Sequence, residues 1–294
     1  MRFEGVIPAA MTPFTSKNEV AVEALAANVE WMRAAGCSGF VACGTMGEGS
    51  SLSPAERRLV VETMVGASDA PVTAGVSAGT PGDAIRYAAD AEAAGARALM
   101  LLPPLGYAAD ERELVAFYRA MAETTSLPIM AYNNPAASGG TDMAPALIGR
   151  IAAEVDAVVA IKECSGDARR IAELLGLDAG LEVLVGGDDW ALEGLCAGAT
   201  GWVAGVAVVA PRECVDLFEA CSTGDLDRAR ERYARLLPLA RLDMTPKLVQ
   251  YFKAGIDAVG HAGGPCRPPR QPLDAGEKAT LDAAVRALGA PQPA

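Results

Sequence analysis

Short apolar runs alternate with amphipathic stretches along most of this chain, and each run is apolar throughout rather than at every second position. That pattern is typical of parallel strands that are buried on both faces. The runs are Gly5 to Ile7, Gly39 to Cys43, Val72 to Ala74, Ala98 to Leu102, Ile129 to Tyr132, Val158 to Lys162, Glu182 to Val185 and Gly201 to Ala204. Eight such units predict a (β/α)₈ TIM barrel. A doubly wound sheet has fewer strands and a GxGxxG turn, which this chain lacks.

Helix start signals fall between the runs. Ser53 and Glu56 form the pattern of a capping box, with Pro54 at the first helical position, and Asp110 precedes another amphipathic stretch. After the eighth run the chain shows helical patterns and no further strand. The sequence therefore predicts a barrel over residues 1–224 and a C-terminal helical region over residues 225–294.

Composition narrows the class of partner. The formal net charge is −12 and no stretch of about 18 apolar residues occurs, so neither a nucleic-acid surface nor a membrane span is indicated. The first ten residues lack the pattern of a signal peptide. We expect a cytoplasmic protein whose partner is a small molecule, with no nucleic acid and no membrane.

The cysteine and histidine content of the sequence gives little support for a metal site or a catalytic histidine. The seven cysteines include no CxxC pair and indicate reduced, small hydrophobic residues, and His261 is the only histidine in the chain. His261 lies in a Gly/Pro-rich stretch without a second histidine to share an ion. We expect no metal site and no serine–histidine relay.

Lys162 stands at the end of the apolar run that begins at Ala157, in a chain with only five lysines. Desolvation at the tip of a buried strand disfavours an ammonium, so we expect a lowered pKa and an accessible neutral amine. A Schiff-base lysine needs that form. The alternative is a lysine whose head group reaches from the end of the barrel into water.

The active site of a TIM barrel lies at the carboxyl ends of its strands. The predicted strands end at Tyr132, at Lys162 and just before the loop of residues 44–48, which contains Thr45. An amine, a phenol and a hydroxyl should therefore share one mouth of the barrel.

Several motifs together resemble the dihydrodipicolinate synthase and N-acetylneuraminate lyase family of class I Schiff-base lyases. They occur in family order and cover about the whole chain. The motifs are PAAMTPF at 8–14, GTMGE at 44–48, YNNP at 132–135, IKE at 161–163, GGDD at 186–189 and RPPRQPL at 267–273. The resemblance implies a (β/α)₈ barrel with a C-terminal helical region, a covalent imine in place of a cofactor, and a homo-oligomer, tetramer or dimer.

The resemblance also implies a role for each of five residues. Lys162 takes the position of the imine-forming lysine, and Tyr132 that of the phenol which shuttles protons and orients the substrate carboxylate. Thr45 takes the position of a hydroxyl that links to the tyrosine. Met46 belongs to the loop that binds the carboxylate, and Val203 stands where a backbone carbonyl faces the bound oxo acid.

Three positions depart from the family pattern, and each bears on which substrate the site can bind. Met46 stands where many members have a second threonine, and Ala137 near where the synthases have an arginine for the second substrate's carboxylate. Gly106 replaces a relay tyrosine that comes from a neighbouring subunit, and Tyr107 is adjacent. 4-Hydroxy-tetrahydrodipicolinate synthase activity is therefore disfavoured.

A narrower similarity points to the branch that contains 1-pyrroline-4-hydroxy-2-carboxylate deaminases. The sequence is thus interpreted as a Schiff-base lyase acting on a 2-oxo acid or a related cyclic imino acid. Two alternatives stay open: a pyruvate-dependent aldolase acting on a 4-hydroxy-2-oxo acid or a 2-keto-3-deoxy sugar acid, and a barrel that binds a 2-oxo acid without turnover.

Overall fold

The computed structural model describes residues 2–177 and 179–289, and within them eight parallel strands follow the order β1-β8-β7-β6-β5-β4-β3-β2. The strands are β1 Gly5–Pro8, β2 Phe40–Ala42, β3 Val72–Gly75, β4 Ala98–Leu101, β5 Ile129–Asn133, β6 Val158–Glu163, β7 Glu182–Val185 and β8 Gly201–Ala204. A parallel bridge between Ala9 and Val41 joins the end of β1 to β2 and closes the cylinder. The predicted TIM barrel is confirmed.

A helix follows every strand, and three more lie between residues 226 and 287 of the described chain. The helices are α1 Val22–Ala34, α2 Pro54–Ala67, α3 Pro81–Ala93, α4 Glu111–Ala122, α5 Pro145–Glu154, α6 Arg169–Leu175, α7 Ala191–Cys196, α8 Pro211–Ser222, α9 Leu226–Ala240, α10 Leu248–Ala258 and α11 Ala275–Ala287. The division predicted at residue 224 falls in the turn between α8 and α9. Residues 290–294 of the predicted C-terminal region lie outside the described residues.

Local signals explain where the helices begin. Ser53 accepts a hydrogen bond from the Glu56 N–H while the Glu56 carboxylate accepts one from Ser53 N–H, so the predicted capping box is present. Asp110 and Glu113 form a second box at the start of α4. The part of the chain that the structure describes contains no helix with the length and hydropathy of a membrane span.

One short segment outside the barrel forms part of the wall of the cavity at the barrel mouth. Residues 241–244 form a single 3-10 turn between α9 and α10, and residues 243–246, together with Leu248, line the cavity over the barrel mouth. The C-terminal helical region therefore contributes directly to the site.

Candidate active site

A cavity of about 700 Å³ opens at the carboxyl ends of the strands. All five residues that the sequence predicted for the site line it, namely Lys162, Tyr132, Thr45, Met46 and Val203. They come from β6, β5, the loop after β2, and β8. The barrel therefore brings together residues that lie up to 158 positions apart in the chain.

Lys162 and Tyr132 are partners in the register of β6 and β5. The Lys162 Nζ lies 4.2 Å from the centroid of the Tyr132 ring, a cation–π geometry. Only 6% of Lys162 is exposed, so the side chain does not reach into bulk water as the alternative reading required. The amine is held inside the mouth, beside a phenol.

The pKa of Lys162 differs from the sequence-based expectation. Burial is its largest influence and lowers the pKa, but Tyr132, Cys164 and Asp243 together outweigh burial and raise it. The expectation of a lowered pKa was wrong because Cys164 and Asp243, which the sequence did not place beside the lysine, add to the effect of Tyr132. In the ligand-free site the lysine is an ammonium at neutral pH and must lose a proton before it can attack a carbonyl.

The Tyr132 hydroxyl accepts a hydrogen bond from Asn134 Nδ2 at 2.8 Å. Burial raises the pKa of the phenol to about 12, although the neighbouring Lys162 opposes that shift. The hydroxyl proton is thus retained and can be donated to a ligand. The expected link from Thr45 is not formed within the described residues, where Asn134 bonds to the phenol instead and the Thr45 side chain is exposed.

The loop after β2 presents backbone donors to the cavity. The N–H groups of Thr45 and Met46 donate to no other described residue, and both residues line the cavity. Thr12 supports the loop from below by donating its hydroxyl to the Gly47 carbonyl at 2.7 Å. Two free N–H groups beside a lysine make a binding place for a carboxylate.

Glu48 fixes the shape of this loop, a function that the sequence reading missed. Its backbone is left-handed at φ 52°, and its side chain is fully buried. The carboxylate pairs with Lys253 Nζ at 2.7 Å and with Arg270 at 3.1 Å, and it accepts the Arg267 N–H at 3.1 Å. The available signal was the RPPR motif: Arg270 pairs with Glu48, while Arg267 gives Glu48 its backbone N–H and pairs its guanidinium with Glu56.

A glycine lets the lysine lie where it does. A Cβ on Gly186, just after β7, would meet the Glu163 carbonyl oxygen at 2.6 Å and the Lys162 Cε at 3.0 Å. Behind the lysine, Glu163 is fully buried and accepts hydrogen bonds from Asn133 Nδ2 at 3.0 Å and from Ser165 N–H at 2.6 Å. The tips of β5 and β6 are thereby held together.

Asp243 is the second residue that sequence reasoning missed. It lies on the 3-10 turn before α10 and lines the cavity, and its half-buried carboxylate bonds to no other described residue. Burial raises its pKa to about 6; Lys162 opposes the shift and Asp189 adds to it. Only tertiary structure could place this residue, because it lies 81 positions from Lys162 in a helical region.

Cys164 was expected to be a core residue but lines the cavity instead. Its Sγ donates to the Gly186 carbonyl at 3.2 Å, and burial raises the pKa of the thiol to about 12. It is therefore a neutral thiol in the site rather than a nucleophile. His261 lies elsewhere, stacked on Trp31 with ring centroids 3.8 Å apart.

The structure also shows where the positions that depart from the family pattern lie relative to the cavity. Ala137 lines the cavity, as do its neighbours from Asn134 onward. Gly106 adopts φ 99°, and Tyr107 is half exposed and does not line the cavity of its own chain. Among the described residues, the charged residues of the lining are Lys162 and Asp243.

A TIM barrel with a buried lysine and a phenol at its mouth has the arrangement of a class I, Schiff-base-forming lyase. The chain matches the model of the dihydrodipicolinate synthetase family over residues 2–288, and it belongs to that family. Enzymes of this family form a lysine Schiff base with pyruvate and use no external cofactor.

Individual relatives agree with the assignment. The chain is 38% identical over 284 residues to a 4-hydroxy-tetrahydrodipicolinate synthase from Methanothrix thermoacetophila, covering 95% of each chain. The dihydrodipicolinate synthase of Aquifex aeolicus superposes with a TM-score of 0.93 at 27% identity, over 99% of this chain and 100% of that one. A family member from E. coli K12, solved in complex with pyruvate, superposes with a TM-score of 0.91 at 26% identity, over 98% and 99%.

Proposed function

We propose that this enzyme acts on a 2-oxo acid or a cyclic imino acid whose far end is not a carboxylate, as a 1-pyrroline-4-hydroxy-2-carboxylate deaminase does. The observation that carries the proposal is the charge of the cavity. Its described lining contains one cation, Lys162, whose charge stays at C2 as the protonated imine and does not reach a carboxylate at the far end of the substrate, while Asp243 is the other charged group. A second carboxylate would meet an anion and no guanidinium.

In the proposed reaction, different residues of the site bind the carboxylate, form the imine and carry protons. The N–H groups of Thr45 and Met46 bind the C1 carboxylate, and Lys162 attacks C2 and displaces the ring nitrogen to form the enzyme imine. Loss of a C3 proton then gives an enamine, with Tyr132 as the proton carrier. Departure of the 4-hydroxyl as water leaves a C3–C4 double bond conjugated with the C2 iminium. Proton transfer from C5 and its nitrogen to C4 and C3 converts the C5 amine into an imine, and hydrolysis of the imines at C5 and C2 releases ammonia, a 2-oxo acid semialdehyde and the free lysine. Overall one water is consumed for each ammonia released.

Two further reactions use the same imine. A retro-aldol cleavage of a 4-hydroxy-2-oxo acid needs the same lysine and breaks the C3–C4 bond. The relative from Methanothrix thermoacetophila carries a synthase name, which favours condensation of pyruvate with aspartate semialdehyde as a second candidate. The absence of a guanidinium at Ala137 opposes that candidate.

A product screen separates these reactions. The purified protein is incubated with 1-pyrroline-4-hydroxy-2-carboxylate, with 2-keto-3-deoxy sugar acids, and with pyruvate plus aspartate semialdehyde. Ammonia release without pyruvate is the expected result. Pyruvate release from a sugar acid would replace the deaminase with the aldolase, and efficient condensation with aspartate semialdehyde would overturn the proposal.

We also propose a cytoplasmic homo-oligomer. All seven cysteines are unpaired, as suits a reducing compartment, and the half-exposed Tyr107 lies beside the mouth, in the loop after β4. Light scattering on the purified chain should give the mass of a dimer or a tetramer, and a monomer would contradict the assembly.

A further inference from the structure

The Asp243 carboxylate is exceptional among the acidic groups near the barrel mouth, because it faces the cavity without a partner. Asp188, close by, is fully buried and accepts hydrogen bonds from Trp202 Nε1 at 3.0 Å and from two backbone N–H groups at 3.1 and 2.6 Å. Asp243 has no such bond among the described residues, although it is half buried. A carboxylate in this state is available to a ligand.

Gly205 keeps the two carboxylates in place. A Cβ on Gly205 would meet the Asp243 Oδ1 at 2.9 Å and the Asp188 Oδ2 at 3.0 Å. The missing side chain therefore leaves room for Asp243 to enter the cavity from the C-terminal region. Any larger residue at position 205 would displace it.

The charges around Asp243 suit proton exchange. Burial raises the pKa of both Asp188 and Asp243, and repulsion between the two carboxylates raises that of Asp188 further. Asp189 acts on Asp243 in the same direction, whereas Lys162 opposes it. The two carboxyl groups therefore titrate as a pair that retains a proton at higher pH than free aspartates do.

The position of the imine determines what Asp243 can meet. With C1 at the N–H groups of Thr45 and Met46, and C2 on Lys162, the rest of the substrate occupies the remaining lining. The other walls there, residues 134–137 and 244–246, carry no ionisable side chain. Apart from Lys162 and Tyr132, the ionisable groups of the described lining are the Cys164 thiol, whose pKa burial raises to about 12, and Asp243, so Asp243 is the one that exchanges a proton near neutral pH.

We propose that Asp243 exchanges a proton with the hydroxyl group at C4 of the substrate. In dehydration the C4–O bond breaks, its electron pair leaves with the oxygen, and Asp243 supplies the proton that makes the leaving group water. The enamine nitrogen regenerates the C2 iminium as a C3–C4 double bond forms. In retro-aldol cleavage Asp243 instead removes the hydroxyl proton, and the C3–C4 electron pair moves into the imine to give an enamine and an aldehyde.

This inference rests on the proposed function only in requiring a 4-hydroxy substrate. Pyruvate has no C4, so pyruvate reports on the imine chemistry without Asp243. The test compares Asp243→Asn with wild type in two assays: borohydride trapping of the pyruvate imine by mass spectrometry, and turnover of the best 4-hydroxy substrate. Asp227→Asn is the matched control, because the Asp227 side chain on α9 is 99% exposed.

We expect Asp243→Asn to trap pyruvate at least as fast as wild type, because loss of this carboxylate lowers the pKa of Lys162, and to lose about 10²- to 10⁴-fold in kcat on the 4-hydroxy substrate. For dehydration, where Asp243 acts as the acid, the alkaline limb of the pH–rate profile should also disappear; for retro-aldol cleavage, where it acts as the base, the acidic limb should disappear. Asp243→Glu should recover part of the activity, and Gly205→Ala should resemble Asp243→Asn. A thermal melt verifies that each variant is folded.

Other outcomes overturn the inference. Parallel losses of trapping and turnover would mean that Asp243 acts only through Lys162, and unchanged turnover would mean that it has no chemical role. If wild type releases no ammonia from the pyrroline substrate, the proposed function fails, and the same comparison is made on cleavage of a 2-keto-3-deoxy sugar acid. A wild type that accepts neither 4-hydroxy substrate overturns both proposals.

Discussion

The Lys162 ammonium lies 4.2 Å above the ring of Tyr132, its register partner on the neighbouring strand. Adjacent parallel strands place paired residues side by side, so this contact is built into the sheet and needs no loop to form it. The same register joins Asn133 to Glu163 one step further on, and those two side chains are hydrogen-bonded at 3.0 Å.

Replacement of the lysine tests the imine directly. Lys162→Ala should abolish borohydride trapping with pyruvate, because no other lysine lines the cavity within the described residues. Mass spectrometry of the reduced protein gives the measurement. Lys278→Ala, on the exposed side of α11, is the control and should trap like wild type. An adduct on the Lys162→Ala protein would contradict the assignment.

Removal of the Tyr132 hydroxyl tests its role as proton carrier. Tyr132→Phe keeps the ring under the ammonium but loses the oxygen, so kcat should fall about 10²- to 10⁴-fold while the protein stays folded. Tyr233→Phe is the matched control, since the Tyr233 hydroxyl is buried without a partner among the described residues and lies outside the cavity. Equal kcat values for the two variants would refute the role.

A single methyl group at position 186 should disturb the lysine. Gly186→Ala places a Cβ 2.6 Å from the Glu163 carbonyl oxygen and 3.0 Å from the Lys162 Cε. Overpacking of this kind costs about 1–3 kcal/mol, and we expect both a lower melting temperature and slower imine trapping. Gly82→Ala, in the first turn of α3, meets nothing within 4 Å and should lower neither. A fully active Gly186→Ala protein would show that the site adapts.

The ion pair between Glu56 and Arg267 should make stability depend on pH. Arg267 holds the pKa of Glu56 near 2, below its ordinary value of 4.5. A lowered carboxyl pKa gives stability that is present above the unfolded-state value and is lost as pH falls from about 4.5 towards 2. Glu56→Gln should therefore cost about 1–2 kcal/mol at pH 7 and progressively less below pH 4.5.

Denaturant unfolding at several pH values measures this effect. Glu62→Gln on the same helix is the control, because its partner Arg58 is half exposed and such pairs contribute little. A cost for Glu56→Gln that stays constant from pH 7 to pH 3 would refute the linkage.

A guanidinium introduced at position 137 should change the substrate preference. Ala137→Arg adds a fork-shaped cation to the cavity wall, so condensation of pyruvate with aspartate semialdehyde should rise at least about tenfold over wild type. Ala136→Arg places the same charge at the adjacent cavity position and should give less than half of that gain. Coupled assay of the condensation product gives both rates. No gain at position 137 would mean that another feature excludes the semialdehyde.

The amino-acid sequence alone determined the barrel, because buried parallel strands leave continuous apolar runs and capping boxes mark the helices between them. It also placed Lys162, Tyr132 and Thr45 at one mouth, since strand ends of a TIM barrel share one face. The motif order carried the family assignment. These features could be predicted because they depend either on neighbouring residues in the chain or on the topology of the TIM barrel alone.

Tertiary structure decided the charges of the site. The raised pKa of Lys162, the hydrogen bond from Asn134 to Tyr132, and the ion cluster around Glu48 all depend on contacts across the barrel mouth. Asp243 enters the cavity from a helical region with no strand register to place it. Electrostatic interactions act through space at distances that sequence separation does not reveal, so Asp243 emerged as a charged neighbour of the lysine only once the chain was folded.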